Sequence, residues 1–259
     1  IVFFNHMHKG DLHTHKEFVR QLQFELPDVE FGYLHNNAPK LLAELNIEYL
    51  GNPDNFDNKT PFHYDEENNT LFVNTWVGCN WDIFCKYGGI NMLTLYEQWE
   101  TIIERVNDVF DAEIVLNPSK EQYLPRIQYS LLDTKRIDET LSDRRKVLIC
   151  NNVPQSNQSF ASDMREHILP FAEMYPDTDF ICTNRFDTDG NTNILFTEDI
   201  IGPIEDGDLM EISYISSRCD IIIGKNSGPY VFCETYDNYM DETKTFVSFN
   251  SKHPDYEDV

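Results

Sequence analysis

The sequence predicts an α/β protein built as two blocks, and three observations carry that reading. Short apolar runs alternate with amphipathic stretches in strand–helix order. That alternation occurs twice, on either side of a Pro- and charge-bearing interruption over 117–145. The second block contains Ile221-Ile222-Ile223-Gly224, a continuous apolar run of the kind that sits inside a parallel sheet. We therefore expect two Rossmann-like α/β domains facing a cleft, residues 1–140 and 141–259.

Each element follows from its local pattern. Residues 1–5 read as a short buried strand, and 6–11 as a His- and Gly-bearing loop. Residues 12–24 show helical spacing, with Phe18 and Leu22 on one face. A strand over 29–34 and a short helix over 39–45 follow. Residues 51–69, rich in Asn, Asp and Pro, read as loop, and 71–73 as strand. The clearest helix is 92–110, where Leu95, Trp99, Ile102, Ile103, Val106 and Phe110 recur on one face. In the second block, 146–151 is a strand, 152–159 a polar loop, and 160–174 a helix that Pro170 can kink. Strands are expected at 179–183, 193–196, 220–224 and 244–249, and helices at 208–218 and 228–235.

Composition narrows the function. The 259 residues include 45 Asp and Glu against 20 Lys and Arg, a formal net charge of −25. The excess is spread over both blocks, so a general nucleic-acid binder is disfavoured. No apolar run reaches the ~18 residues of a membrane span. Of six cysteines, Cys150, Cys182, Cys219 and Cys233 lie in or beside apolar runs, where buried free thiols sit. Cys79 and Cys85 lack a zinc-ribbon spacing. Reduced thiols and the absence of a legible leader motif read as a cytoplasmic protein. His6, His8, His13 and His15 crowd the N-terminus without a downstream ligand set, so no metal site is expected.

Three segments carry chemistry. Gly10 and Asp11 stand between the first strand and first helix, where open α/β sheets bind ligands. Asp11 there is a candidate general base with His13 as its assistant, and a plain helix cap is the competing reading for both. After the Ile221–Ile223 run come Lys225, Asn226, Ser227 and Gly228, with Pro229 suited to a first helical turn. Such a helix start offers free N–H groups to a diphosphate, against the plain reading of capping. The polar loop after residue 151 offers Asn152 and Ser156 as neutral donors, and it lacks both GxGxxG and the P-loop pattern. Arg185, just past the 179–183 strand, is a further candidate contact, against the plain reading of a surface Arg.

At these places the chain resembles a family. Lys9-Gly10-Asp11-Leu12-His13-Thr14-His15 with Phe18-Val19 resembles the Met-Gly-Asp-Val-Leu-His-Thr-Leu-Pro opening of bacterial lipopolysaccharide heptosyltransferases. The segment from Gly224 to Pro229 resembles that family's Gly-x-Asp-Thr-Gly turn, which holds the diphosphate of the nucleotide sugar. Asn226 stands in place of the motif's Asp, and Tyr230, Val231 and Phe232 stand where the family has a His. The resemblance implies a GT-B-like fold and an inverting, metal-independent glycosyltransferase without a separate cofactor. A nucleotide-diphosphate sugar would bind the second block through Gly10 of the first and Asn152, Ser156, Arg185, Lys225, Asn226, Ser227 and Gly228. A glycan acceptor would bind the first block, with Asp11 taking the hydroxyl proton. Trp76 and Trp81 are candidate sugar-stacking rings, whereas Trp99 fits a helix core face. Two other readings stay open: a nucleotide-sugar epimerase-like enzyme, and a non-catalytic glycan- or partner-binding protein on the same scaffold.

Overall fold

The computed structural model describes residues 1–36, 39–152, 164–204, 208–225 and 227–248. The chain divides into two compact units, Ile1–Arg126 and Ile127–Val259.

The first unit holds β1 (Val2–Asn5), α1 (Lys9–Glu25), β2 (Gly32–His35), α2 (Pro39–Leu42), β3 (Glu48–Tyr49), β4 (Phe62–Asp65), β5 (Thr70–Asn74), α3 (Trp81–Lys86) and α4 (Met92–Phe110). Its sheet runs β3-β2-β1-β5-β4. The first four of these strands are parallel, and β4 pairs antiparallel to β5 with Phe62 opposite Val73. Phe18 of α1 stacks on Trp99 of α4 at 5.1 Å and on Tyr123 at 4.0 Å, which ties the helices over the sheet. Beside this stack Lys16 is fully buried, bonded to Glu44 and to the Arg126 carbonyl at 3.1 Å. Glu17 takes Arg20 and the Arg126 backbone amide. A buried ammonium is tolerable only with partners of this kind.

The second unit holds α5 (Lys135–Thr140), β6 (Arg145–Cys150), α6 (Arg165–Met174), β7 (Thr178–Cys182), β8 (Ile194–Phe196), α7 (Thr197–Ile201), α8 (Leu209–Ser217), β9 (Ile221–Gly224), α9 (Gly228–Cys233), α10 (Tyr236–Met240) and β10 (Thr245–Ser248). Its sheet, β10-β9-β6-β7-β8, is parallel throughout. Alternate residues of β6 serve opposite faces. Leu148 and Cys150 join Ile212, Ile215 and Tyr230, while Val147 and Ile149 join Ile168 and Ala172 of α6. Both faces are covered, as a parallel sheet requires.

Three departures of the structure from the sequence expectations matter most here. The division falls after Arg126 rather than near 140, because Ile137 of α5 is buried in the second unit's core and Tyr129 bonds Ser213 at 3.1 Å. The expected loop over 51–69 contains β4, whose polar, half-exposed residues hide a strand that needs β5 as its partner. Helix α1 begins at Lys9, so Gly10 and Asp11 lie inside its first turn. Residues 153–163, part of the expected loop and helix, lie outside the described residues, as does 249.

Candidate functional site

Each sheet starts in its middle and then builds outward in both directions. In the first unit the chain leaves β1 for β2 and β3, then returns to the other side of β1 with β5. In the second it leaves β6 for β7 and β8, then returns beside β6 with β9. Ligands of open α/β sheets bind outside the carboxyl ends of strands at such a reversal. The residues that matter are therefore those just past β1 and β5, and just past β6 and β9.

In the first unit Asn5 ends β1 and is fully buried. Its Nδ2 donates to Thr75 Oγ1 at 3.2 Å, and Tyr33 OH lies 2.6 Å from the same oxygen. Asn5 Oδ1 accepts the Met7 amide at 2.7 Å, which sets the turn leading into α1. The His8 amide donates to Asp11 Oδ2 at 3.2 Å, and the Asp11 amide to the His8 carbonyl at 3.0 Å. Asp11 thus caps the helix. Burial pushes its pKa up against the lowering effect of the His8 hydrogen bond. Asp11 in turn adds to the raising of the Tyr33 phenol, which is mainly an effect of burial. A half-buried carboxylate with a raised pKa in the first helical turn after β1 has the properties of a general base.

The first-unit candidates do not all converge. Gly10 is the second residue of α1, beside Asp11. His13 lies two positions beyond Asp11 on the helix, about 200° around it. It is fully buried, and its pKa is driven well down by burial and by the charges of Lys16 and Arg20. It is therefore a neutral core side chain rather than a partner of Asp11. His15 accepts the Trp99 Nε1 proton at 2.8 Å, and burial lowers its pKa to about 3. Among the described residues no three His, Cys, Asp or Glu side chains are grouped to hold a metal.

In the second unit Cys150 of β6 stands opposite Gly224 of β9. A Cβ at Gly224 would lie 2.5 Å from the Tyr230 ring and 2.8 Å from the Cys150 Cβ, so glycine permits this approach. Asn151 Oδ1 accepts the Asn184 amide at 2.8 Å and fixes the chain leaving β7. Asn152 follows, half-buried, with its Oδ1 buried and without a hydrogen-bond partner. Across the reversal Lys225 is buried, which lowers its pKa. Ser227 is the N-cap of α9, yet its hydroxyl makes no capping bond. Ser227 is 8% exposed, and its Oγ is buried without a partner. A buried hydroxyl left unpaired is costly, by about 1–3 kcal/mol. Gly228 and Pro229 open α9, as the sequence predicts.

Arg185 stands at the carboxyl end of β7, but its guanidinium is held by Glu198 and, at 2.6 Å, by Asp199. It also lies 4.4 Å above the Phe196 ring. Ser156 and Asn226 lie outside the described residues. Sequence reasoning missed the Asn5, Tyr33 and Thr75 cluster. Its signal was the placement of Asn5 and of Asn74-Thr75 directly after the apolar runs of β1 and β5.

With this geometry in hand, comparisons with known proteins can be set beside it. Neither a protein-family model nor a curated protein matches the chain. Among solved structures, the E. coli heptosyltransferase WaaC with ADP-2-deoxy-2-fluoro heptose is 7% identical. The match covers 95% of this chain and 87% of that one, with a TM-score of 0.50. E. coli ADP-heptose lps heptosyltransferase II is 10% identical, over 95% and 83% of the two chains, with a TM-score of 0.48. A family 9 glycosyl transferase from Veillonella parvula is 13% identical, over 98% and 82%, with a TM-score of 0.46. The likeness to the first defines the fold: this chain is an α/β protein of the GT-B type, similar in fold to heptosyltransferases.

Proposed function

We propose that the protein is a glycosyltransferase that moves a sugar from a nucleotide-diphosphate sugar to a hydroxyl of a glycan or other acceptor. The observation that carries this reading is Ser227 Oγ, buried, unbonded and uninvolved in capping at the β6–β9 reversal. A diphosphate oxygen there would accept its proton, along with the Gly228 and Tyr230 amides of the first turn. Asn152 and Lys225 stand at the same strand ends, and Lys225 offers positive charge to the leaving diphosphate. In this reading charge neutralisation needs no metal ion. Arg185 is already committed to Glu198 and Asp199, which weakens its case as a phosphate contact. Gly10, beside Asp11 in the first turn of α1, is a further candidate donor contact.

The first unit takes the acceptor. Asp11 removes the acceptor hydroxyl proton as that oxygen bonds to the anomeric carbon. The bond from the anomeric carbon to the diphosphate breaks, and the nucleoside diphosphate leaves with that electron pair. Attack opposite the leaving group inverts the anomeric centre. A cytoplasmic setting suits a nucleotide-sugar donor and reduced thiols.

A thermal-shift panel of UDP-, GDP-, ADP-, CMP- and dTDP-sugars tests the proposal. At about 100 times its dissociation constant, the true donor stabilises by about 2.7 kcal/mol, a shift of a few degrees. Ser227→Ala removes a buried hydroxyl without a partner, so the free protein's midpoint should rise while the ligand-induced shift shrinks. A folded protein that responds to none of these nucleotides would refute the transferase reading.

A further inference from the structure

We propose that the segment leaving β5 toward α4 is a platform for an uncharged glycan acceptor, with the exposed face of Trp81 as its stacking surface. This rests on the transferase reading for its role, though not for its binding chemistry. Trp81 is 56% exposed, while it stacks on Phe84 at 5.0 Å with 15° between the planes. The ring is thus held in place with a large apolar surface turned to water. The face of the indole turned away from Phe84 is open to a stacking ligand ring.

The supporting structure is firm. Ile83 is buried beneath α3, and Lys86 and Tyr87 bond Glu97 of α4 at 2.6 and 2.5 Å. Gln98 of α4 donates to the Trp76 carbonyl at 3.3 Å. Trp76 packs on Gly78, where a Cβ would lie 2.2 Å from its ring. The segment begins at Thr75, which closes the β1–β5 reversal with Asn5.

The chemistry selects the ligand. Pyranose rings present C–H bonds with partial positive charge, and these stack on the negative face of an indole. Asn80 and Asp82, next to Trp81 in the chain, add polar side chains to the segment. The charge of the unit disfavours an anionic partner. Ile1–Arg126 carries nine Lys and Arg against twenty Asp and Glu. Lys16, Arg20 and Arg126 are held by Glu17 and Glu44, and Lys86, the cation nearest Trp81 in sequence, by Glu97. A phosphorylated or uronate acceptor would meet net repulsion, whereas a neutral oligosaccharide would not.

Binding to immobilised oligosaccharides tests this on the intact protein. The panel holds neutral oligomers of glucose, galactose, mannose and N-acetylglucosamine, with uronate and phosphorylated counterparts. A neutral member is expected to bind and to perturb tryptophan fluorescence. Trp81→Ala should weaken that binding by about tenfold, and Trp81→Phe should restore part of it. A preference for the anionic set, or equal binding by Trp81→Ala, overturns the proposal. So does sedimentation showing that Trp81 instead seals a dimer that the Ala variant releases. Nucleotide shifts are read on the same samples. Glycan binding without any nucleotide shift supports the platform and counts against the transferase. A nucleotide shift without glycan binding overturns the platform alone.

Discussion

At the scale of single residues, Asp11 performs two tasks that pull in opposite directions. It accepts the His8 amide as a helix cap, and its burial raises its pKa. A carboxyl with a raised folded pKa binds its proton more tightly folded than unfolded. Its contribution is therefore fully present below the unfolded carboxylate pKa and is lost as pH rises through the folded value. Asp11→Asn keeps an acceptor for His8 and removes the charge, so the melting midpoint at pH 7 should rise. Transfer, read as released nucleoside diphosphate, should fall by about 10²–10⁴-fold, the usual worth of a general base. His15 has the reverse sign. Its pKa is lowered to about 3, so its contribution is complete above the unfolded pKa near 6.5 and drains away below it. Each such histidine costs about 1.4 kcal/mol per pH unit over that window. Urea midpoints taken between pH 7 and pH 4.5 should fall accordingly. His15→Gln, which can still accept from Trp99, should lower the slope by about one proton.

At the scale of elements, the end of β9 at Gly224 is packed too closely for a side chain. Gly224→Ala drives a methyl group into Tyr230 and Cys150. The expected cost is about 1–3 kcal/mol, the range of overpacked cores, with loss of the nucleotide shift because α9 must move. Denaturant unfolding and the thermal-shift panel read the two effects. Helix α4 was legible to its ends because its apolar stripe is long and Asn91 caps it, its side chain accepting from Leu93 and Thr94. Strand β4 was not, since Phe62, His63 and Tyr64 gain their meaning from Val73, Phe72 and Leu71 across the ladder. Helix α5, six residues long, is too short to show a period. The site divides in the same way. Gly10, Asp11 and Ser227 were visible through local motifs. Placing the start of α1 at residue 12 left His13 on the wrong side of the argument, because that helix already includes Asp11. Thr75 is marked only by its place after the β5 run and Tyr33 by nothing local, and their hydrogen bond joins residues 42 positions apart.

At the scale of the whole molecule, the net charge of −25 is a standing repulsion among carboxylates. Ion pairs such as Arg165–Asp189 and Lys135–Glu139 are exposed and contribute little. Screening should therefore relieve more repulsion than it removes attraction. Raising NaCl from about 10 mM to about 0.5 M should raise the melting midpoint, and a fall would show that the ion pairs outweigh the repulsion. The two sheets also differ in how their strands find one another. The β4–β5 hairpin closes over a turn in which Asp65 Oδ1 accepts the Glu67 amide, so its pairs form between near neighbours in the chain. In the second sheet the Lys146 amide bonds Asp220, 74 residues later, where β6 and β9 come together. On the ribosome the first unit can begin its sheet from a local nucleus as it emerges. The second can pair β6 with β7 first, but must leave the other edge of β6 at Val147, Leu148 and Ile149 unpaired until Ile221–Gly224 has been made. That interval is when nascent chains of this protein are most open to chaperone capture or to aggregation.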